Sequence, residues 1–293
     1  MRQIKRDADR LRSYAIILSN STFDKLVRAG DKNYVVSKWK KYDSTLDNHG
    51  NSPTFRQYFA HVYNTLKSAY RSEYVYKNII ANEILLGKYS VNSTTLLNEF
   101  RVGRSIADIV LLNGTSRVFE IKTELDSPTK ISHQLADYRK VFKETYLVTH
   151  YSLKDRYLRI IGEDVGLIVL TKDFKLVTIR KAKESCHLDQ HTMMKCLRKD
   201  EFTNIVKKYY HFVPATSAIR YYRTCQDLIL KIPIDKLHDL VIGELKKRTI
   251  KQKSYFISRS LPPQLKYIGW CLDFDEEEYL RLHDVLREKI NLN

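Results

Sequence analysis

Three short runs rich in Val, Ile, Leu and Phe, at residues 97–102, 105–112 and 117–122, constrain this chain more than anything else in it. Their length and their β-branched and aromatic content read as strands, and Asn113-Gly114 is a turn signal between the second and the third. Helical periodicity precedes them over 72–86, ending at Gly87. It follows them from Pro128, which suits a first helical turn, to about residue 143. A fourth apolar run at 145–149 comes next, then two more at 166–170 and 176–180 joined by a turn at Lys172-Asp173. A helix, a strand meander, a helix and a returning strand make one α/β unit.

The flanks have a different character. The first 65 residues are polar and helical, with Leu11, Tyr14, Ala15, Ile17 and Leu18 at near-helical spacing. Asn20-Ser21-Thr22 breaks that helix and is placed to cap the next, over 23–28, and 47–53 reads as a loop. From about residue 183 the pattern is helical again, punctuated by Pro214, Pro233 and Pro262-Pro263. The expected organisation is a helical segment over 1–65, an α/β core over 66–182 and a helical region over 183–293. The fold class is then an α/β mixed sheet flanked by helices, with helical N-terminal and C-terminal extensions.

Charge narrows the partners. Lys and Arg number 51 against 34 Asp and Glu, a formal net charge of +17, which draws polyanions to the surface. The 20 tyrosines add rings able to stack on unpaired bases, although most Tyr in a globular chain are packing residues. Lys246, Lys247, Arg248, Lys251, Lys253 and Arg259, with Tyr255 and Phe256 among them, form either a phosphate-backbone surface or a solvated helix end and loop. No apolar run approaches the ~18 residues of a membrane helix. The charged N-terminus leads into no signal-type stretch. A soluble, cytoplasmic protein without a membrane partner is expected. Cys186, Cys196, Cys225 and Cys271 are too sparse for a disulfide framework, which fits a reducing compartment. Cys186, His187, His191 and Cys196 could in principle bind zinc, but their spacing matches no finger or ribbon.

Side chains alternate faces along a strand, so Ile106, Asp108, Val110 and Leu112 are expected on one face of the second strand. Val118, Glu120 and Lys122 share a face of the third. Acids and a lysine embedded among apolar residues are expensive to bury without partners, so they form a structural ion network or a site. The hairpin register decides whether they can meet. A two-residue loop at Asn113-Gly114 would turn Glu120 away from Asp108. A three-residue loop over 113–115, with Gly114 at positive φ, pairs Leu112 with Ser116 and Asp108 with Glu120; a one-residue bulge restores the same parity. The Asn-Gly turn is therefore expected not to be a simple two-residue hairpin. The chemistry suits Mg²⁺ (or Mn²⁺), which needs one or two carboxylates and keeps its waters. A metal on Asp108 and Glu120, with the Ile121 carbonyl between them, would polarise a phosphodiester. Lys122 would orient the attacking water and steady charge developing on phosphorus.

Asp108 followed by Glu120-Ile121-Lys122 resembles the D-x(n)-E-x-K signature of PD-(D/E)XK nucleases. Gln134-Leu135-Ala136-Asp137-Tyr138 on the following helix is similar to the Q-x-x-x-Y motif of RecB-like members. The stretches 98–110 and 119–127 resemble a largely uncharacterised bacterial family of that superfamily, and the similarity covers most of the chain, helical ends included. The chain departs from part of that family at Ile106, where many members carry Arg. The resemblance implies a restriction-endonuclease-like fold and a metal-dependent nuclease acting on DNA, in bacterial defence or DNA processing. It implies Gln134 and Tyr138 as residues that position the site. It also implies an acid from the first core helix as a further metal ligand, with Glu73 favoured over Glu83. Glu99 is a weaker candidate for a supporting role, His133 is expected to be structural, and Asp126 to bind substrate or cap a helix. The competing reading is a catalytically inactive nucleic-acid-binding protein of the same fold; a third is a structural or partner-binding protein built around a buried ion network.

Overall fold

The computed structural model describes residues 2–46 and 52–290, so most of the loop expected at 47–53 lies outside the described residues. Helices α1 (Arg2–Ile17), α2 (Asn20–Arg28), α3 (Asn33–Tyr42), α4 (Phe55–Ala69) and α5 (Glu73–Ile80) come first, and α5 runs on as a π-helical turn through Ala81–Leu86. Strands β1 (Thr95–Val102), β2 (Ser105–Asn113) and β3 (Thr115–Lys122) follow. Helix α6 (Ile131–Tyr138) leads to β4 (Glu144–His150), and α7 (Lys154–Leu158) to β5 (Gly166–Leu170), which turns into β6 (Leu176–Arg180). Four helices come next: α8 (Gln190–Lys195), α9 (Lys199–Tyr210), α10 (Ala218–Ile229) and α11 (Ile234–Lys246). The chain closes with α12 (Lys253–Ile257), α13 (Lys266–Leu272) and α14 (Glu276–Arg287).

These elements form two units, Met1–Lys88 with Ile250–Asn293, and Tyr89–Thr249. The division differs from the three consecutive segments expected. Residues 66–88 join the chain's end in an all-helical unit, and 183–249 join the sheet. The second assignment follows from burial: Met193, Met194, Phe202, Ile205, Val206, Ile229, Val241 and Leu245 enter the same core cluster as Val110, Val118 and Leu147 of the sheet. An apolar helix face packs where such a surface is offered, and sequence distance does not enter into it.

The sheet is mixed, in the order β1-β2-β3-β4-β5-β6. β1, β2 and β3 form an antiparallel meander, β3, β4 and β5 run parallel, and β6 returns antiparallel to β5. Each parallel step needs a crossover, supplied by the segments that carry α6 and α7. Helix α6 ends five residues before the expected limit. The Tyr138 carbonyl accepts from both Val141 and Phe142 N–H, and this turn carries two buried side chains, Val141 and Phe142, into the core. Gly166 pairs with Tyr146, and a Cβ there would sit 2.3 Å from the Tyr146 ring. No other residue fits that approach.

In the helical unit, α2 is capped by the Ser19 side chain, which accepts from Thr22 N–H, one residue before the expected cap. Helix α14 starts with a reciprocal capping box between Asp275 and Glu278, and Glu278 also accepts from Arg28 Nε at 2.6 Å. Asp43, at the end of α3, is 3% exposed. The Tyr14 hydroxyl of α1 donates to its Oδ1 at 2.5 Å, and the Tyr58 hydroxyl of α4 to its Oδ2 at 2.8 Å. His61 Nε2 stands 3.7 Å from the same carboxylate.

Candidate active site

The β2–β3 ladder pairs Asn113 with Thr115, Leu112 with Ser116 and Ile109 with Phe119. Gly114, at φ +65°, is the only residue between the last partners, so the turn is not a two-residue hairpin and Leu112 faces Ser116 as expected. Asp108 and Glu120 come next in this register, and there the ladder stops. The Asp108 carboxylate itself receives the backbone: Ile121 N–H donates to its Oδ2 at 2.6 Å. On its other edge β3 stays paired, with Glu120, Ile121 and Lys122 opposite Leu147, Val148 and Thr149 of β4. The Thr149 hydroxyl donates to the Lys122 carbonyl at 2.7 Å. Strand β4 therefore fixes the Glu-x-Lys segment while β2 parts from it at Asp108.

A second irregularity lies at the same level. β1 pairs with β2 as Asn98 with Ile109 and Phe100 with Ala107, so the register steps over Glu99 and Asp108, which face each other. Glu99 has φ +49°, which a non-glycine side chain adopts only under local strain. The core cluster takes Leu97, then Phe100 and Val102, from β1, and Leu112 and Val110, then Ala107, from β2. Side-chain alternation thus slips by one residue in both strands, at Glu99 and Asp108. The slip overturns the shared face expected for Ile106: that side chain is 45% exposed, and Ala107 is buried instead.

Glu120 is 2% exposed, and its carboxylate is met by Lys122, Tyr138 and Gln134. Lys122 Nζ donates to its Oε1 at 2.7 Å. The Tyr138 hydroxyl lies 2.7 Å from its Oε2 and 2.7 Å from the Ile106 carbonyl, and a hydroxyl has one proton to serve both acceptors. Gln134, one turn before Tyr138 on α6, also hydrogen-bonds the carboxylate, while its Oε1 is buried with no partner. Burial raises the Glu120 pKa, and the Lys122 charge with the Lys122, Tyr138 and Gln134 hydrogen bonds offsets this only in part. Lys122 loses solvation by burial too, but the charges of Glu120, Asp108 and Asp126 outweigh that and hold its ammonium above the usual range. Burial, then the Glu120 charge, pushes the Tyr138 phenol up, so it stays a neutral donor.

Asp108, Glu120, Lys122, Gln134 and Tyr138 are therefore brought together. Glu73 lies in the helical unit, in the first turn of α5, where its carboxylate pairs with Lys77; Glu83 lies in the same unit, in the π-helical turn. Asp126 accepts from the N–H and hydroxyl of Thr123 at 2.7 and 2.8 Å, closing the loop after β3, while Ser127 caps the turn that opens α6. The His133 side chain is 62% exposed, with Nδ1 3.5 Å from Asp137. The basic stretch falls in both units, with Lys246, Lys247 and Arg248 in the sheet unit and Lys251, Lys253 and Arg259 in the helical one. Arg248 is bound to Glu201 at 2.6 Å and to the Cys196 carbonyl, and Phe256 is fully buried. The Cys196 thiol donates to the Thr192 carbonyl, and burial pushes it up to about 12. One residue escaped sequence reasoning. Tyr157 of α7 is fully buried, its hydroxyl has no partner, and the charges of Lys122 and Asp126 reach it. Nothing in the charged segment around it marks it out.

Among the described residues no set of three or more His, Cys, Asp or Glu is gathered to hold a metal ion. The donors in the sheet unit are two carboxylates, Asp108 and Glu120, with the Ile121 carbonyl between Glu120 and Lys122. Such a set fits a hard cation that keeps most of its water, and it does not fit zinc.

The family described as Bacteriophage P4 protein cII matches residues 66–267, about two thirds of the chain. Protein cII of Enterobacteria phage P4 is 24% identical over 185 residues, covering 60% of this chain and 68% of that protein. Among solved structures, a protein of unknown function from Silicibacter pomeroyi aligns with a TM-score of 0.31 at 11% identity, over 48% of this chain and 93% of that one. Likeness at that level leaves the fold to be argued from the sheet itself. No helix among the described residues is long and apolar enough to cross a membrane.

Proposed function

The chain belongs to the bacteriophage P4 protein cII family, and from the geometry of its site we propose that its sheet unit is a metal-dependent nuclease of the PD-(D/E)XK type, hydrolysing phosphodiester bonds in DNA. One observation carries the reading: a buried Glu120 is held by Lys122, Tyr138 and Gln134 beside Asp108, at the level where β2 parts from β3. A structural ion pair needs no such opening in the ladder and no strained Glu99 across from it.

Asp108, Glu120 and the Ile121 carbonyl would hold Mg²⁺ or Mn²⁺, and these ligands all come from the sheet unit. The metal, when bound, would polarise the scissile phosphate and lower the pKa of a bound water. The protein's own groups do the rest. Tyr138 and Gln134 orient Glu120, and β4 keeps the Glu-x-Lys backbone in place through Thr149. Lys122 pairs with Glu120; turned toward a phosphodiester, it would supply a fixed positive charge where negative charge develops. The net charge of +17 supports a polyanionic substrate. A cytoplasmic setting, in defence or DNA processing, belongs to the same proposal.

The second reading, a nucleic-acid-binding protein of this fold without cleavage, draws on the direct Lys122–Glu120 pair. One experiment separates them. The purified protein is incubated with linear, circular and single-stranded DNA in Mg²⁺, Mn²⁺ or EDTA. Cleavage that needs the metal and disappears in Glu120→Ala supports the nuclease. Binding without cleavage under every condition overturns it in favour of the second reading.

A further inference from the structure

Between Phe202 and Gln226 the chain carries Lys207, Lys208, Arg220 and Arg223 and not one acidic residue. It also carries Tyr209, Tyr210, Phe212, Tyr221 and Tyr222. The segment spans most of α9, the link to α10 and the first turns of α10. In contact, Thr203 meets Tyr221 at 3.0 Å and Tyr210 meets the Leu228 carbonyl at 2.9 Å, so the two helices advance in the same direction. The link over 211–217 must therefore run back along them, a distance of about 18 Å for twelve helical residues. That is within reach of seven near-extended residues, at roughly 3.3 Å each. His211 starts the return in the left-handed region, at φ +64°.

Apart from the buried Pro214, the return leaves its side chains in water, with Phe212 49% and Val213 45% exposed, and on α10 Ile219 is 95% and Tyr222 42% exposed. All four basic residues are exposed, and none takes part in an ion pair among the described residues. Tyr222 stands edge-on to Phe202 and Phe212 is seated against Tyr210, so both rings are braced from behind with a face or edge left open. Lys199 already lies over the Tyr221 ring at 5.6 Å, the geometry a cation takes on an aromatic face.

We propose that this strip is a landing track for single-stranded DNA, with Phe212 and Tyr222 stacking on unpaired bases and Lys207, Lys208, Arg220 and Arg223 holding phosphates. Exposed rings interleaved with cations and free of acids fit a strand whose bases are available. A duplex would meet the cations but offer the rings nothing to stack on. The role assigned to the track, presenting a strand to the sheet unit's site, rests on the nuclease reading; the binding does not.

The test is fluorescence anisotropy with a labelled oligothymidine strand and a duplex of equal length, using the full chain in EDTA. Phe212→Ala/Tyr222→Ala is expected to weaken the single strand by about tenfold or more and to leave the duplex nearly unchanged. Tyr222→Phe, which keeps the ring, should bind like the parent. Arg220→Ala/Arg223→Ala should weaken both ligands and flatten the salt dependence. Unchanged single-strand binding in the ring variant, with its circular dichroism intact, would overturn the proposal. So would equal losses for strand and duplex, or capture of anionic vesicles abolished by the same ring substitutions. Because EDTA removes catalysis, a protein that binds strands yet never cleaves defeats the nuclease and leaves the track standing. Metal-dependent cleavage by a chain whose single-strand binding is untouched by the ring substitutions does the reverse.

Discussion

Each unit buries a carboxylate against tyrosine hydroxyls, and the two are handled in opposite ways. Asp43 takes Tyr14, Tyr58 and His61. Burial would raise it, but the nearby His61 imidazole and the hydrogen bonds from Tyr14 and Tyr58 more than compensate and its pKa falls below the usual range. Glu120 has a full cation beside it, and burial still wins. The difference lies in how the donors are arranged. Asp43's neighbours sit on α1 and α4, and each of its oxygens takes its own tyrosine hydroxyl. Glu120 must share the Tyr138 proton with the Ile106 carbonyl and depends on one lysine for its charge balance. A settled carboxylate holds helices together. An unsettled one can exchange its partner, as a metal ligand must.

The largest expected effect breaks the comparison if it is absent. Asp108→Ala, Glu120→Ala and Lys122→Ala should each reduce metal-dependent cleavage by about 10²–10³-fold, the scale of losing one preorganised electrostatic group. Their combined loss should fall well short of the product, because the three act as one unit. Asp43→Asn should leave cleavage per folded molecule unchanged. Near-parental cleavage by Glu120→Ala would return Glu120 to the status of Asp43.

Stability comes next. Lys122→Met strands an ionised, buried Glu120 and should lower unfolding free energy by about 3 kcal/mol at neutral pH. Urea titration measures it. Asp43→Asn loses charge-assisted bonds from two buried phenols and should lower it by about 2 kcal/mol.

The two deficits should part company on acidification. Glu120's folded pKa lies above its unfolded value, and further above once Lys122 is gone, so the penalty exists only where the group is ionised. The Lys122→Met deficit should therefore shrink as pH falls through that raised value and vanish below the ordinary glutamate range. Asp43's folded pKa lies below its unfolded value, so its stabilisation is present above the ordinary aspartate range. The Asp43→Asn deficit should persist to pH values where the other has gone, and disappear only as pH falls through the depressed one. Parallel pH curves would show that both acids are structural.

The strands were legible because period-two apolar runs and an Asn-Gly turn report local backbone directly, and the hairpin parity followed from requiring Asp108 and Glu120 to share a face. The slip at Glu99 and Asp108 was not, since nothing in a glutamate's chemistry announces a positive φ. The end of α6 at Tyr138 was missed because Val141 and Phe142 continue the helical pattern in sequence while leaving it to enter the core. The Asp43 network was invisible for a different reason: Tyr14 and Tyr58 stand 29 and 15 residues away, and periodicity carries no information at that range. The unit boundary failed likewise, as α5 shares its unit with α13, where Asn78 bonds the Tyr267 N–H 189 residues on.

The smallest expected effect sharpens the comparison most. Tyr58→Phe removes a donor from a carboxylate that stays ionised, a charge-assisted bond of about 2 kcal/mol. Tyr138→Phe removes a hydroxyl that lies equally close to Glu120 and to the Ile106 carbonyl and can serve only one with its proton. If the hydroxyl donates to the carboxylate, the loss at neutral pH is of the same kind as for Tyr58. Where Glu120 is protonated it can donate to the phenol, which then donates to Ile106, and the pair becomes a neutral relay. Tyr138→Phe should therefore cost about 2 kcal/mol where Glu120 is ionised and about 1 kcal/mol, close to an ordinary neutral bond, where the relay forms. Because the Tyr138 bond favours the charged carboxylate, that cost should fall as pH drops through the raised Glu120 value. Tyr58→Phe should keep its cost to lower pH, losing it only as Asp43 is protonated through its depressed value. Thermal melts of both variants across the acidic range measure where each cost falls, and coincident pH ranges would mean that Tyr138 serves Glu120 as Tyr58 serves Asp43, as a structural clasp.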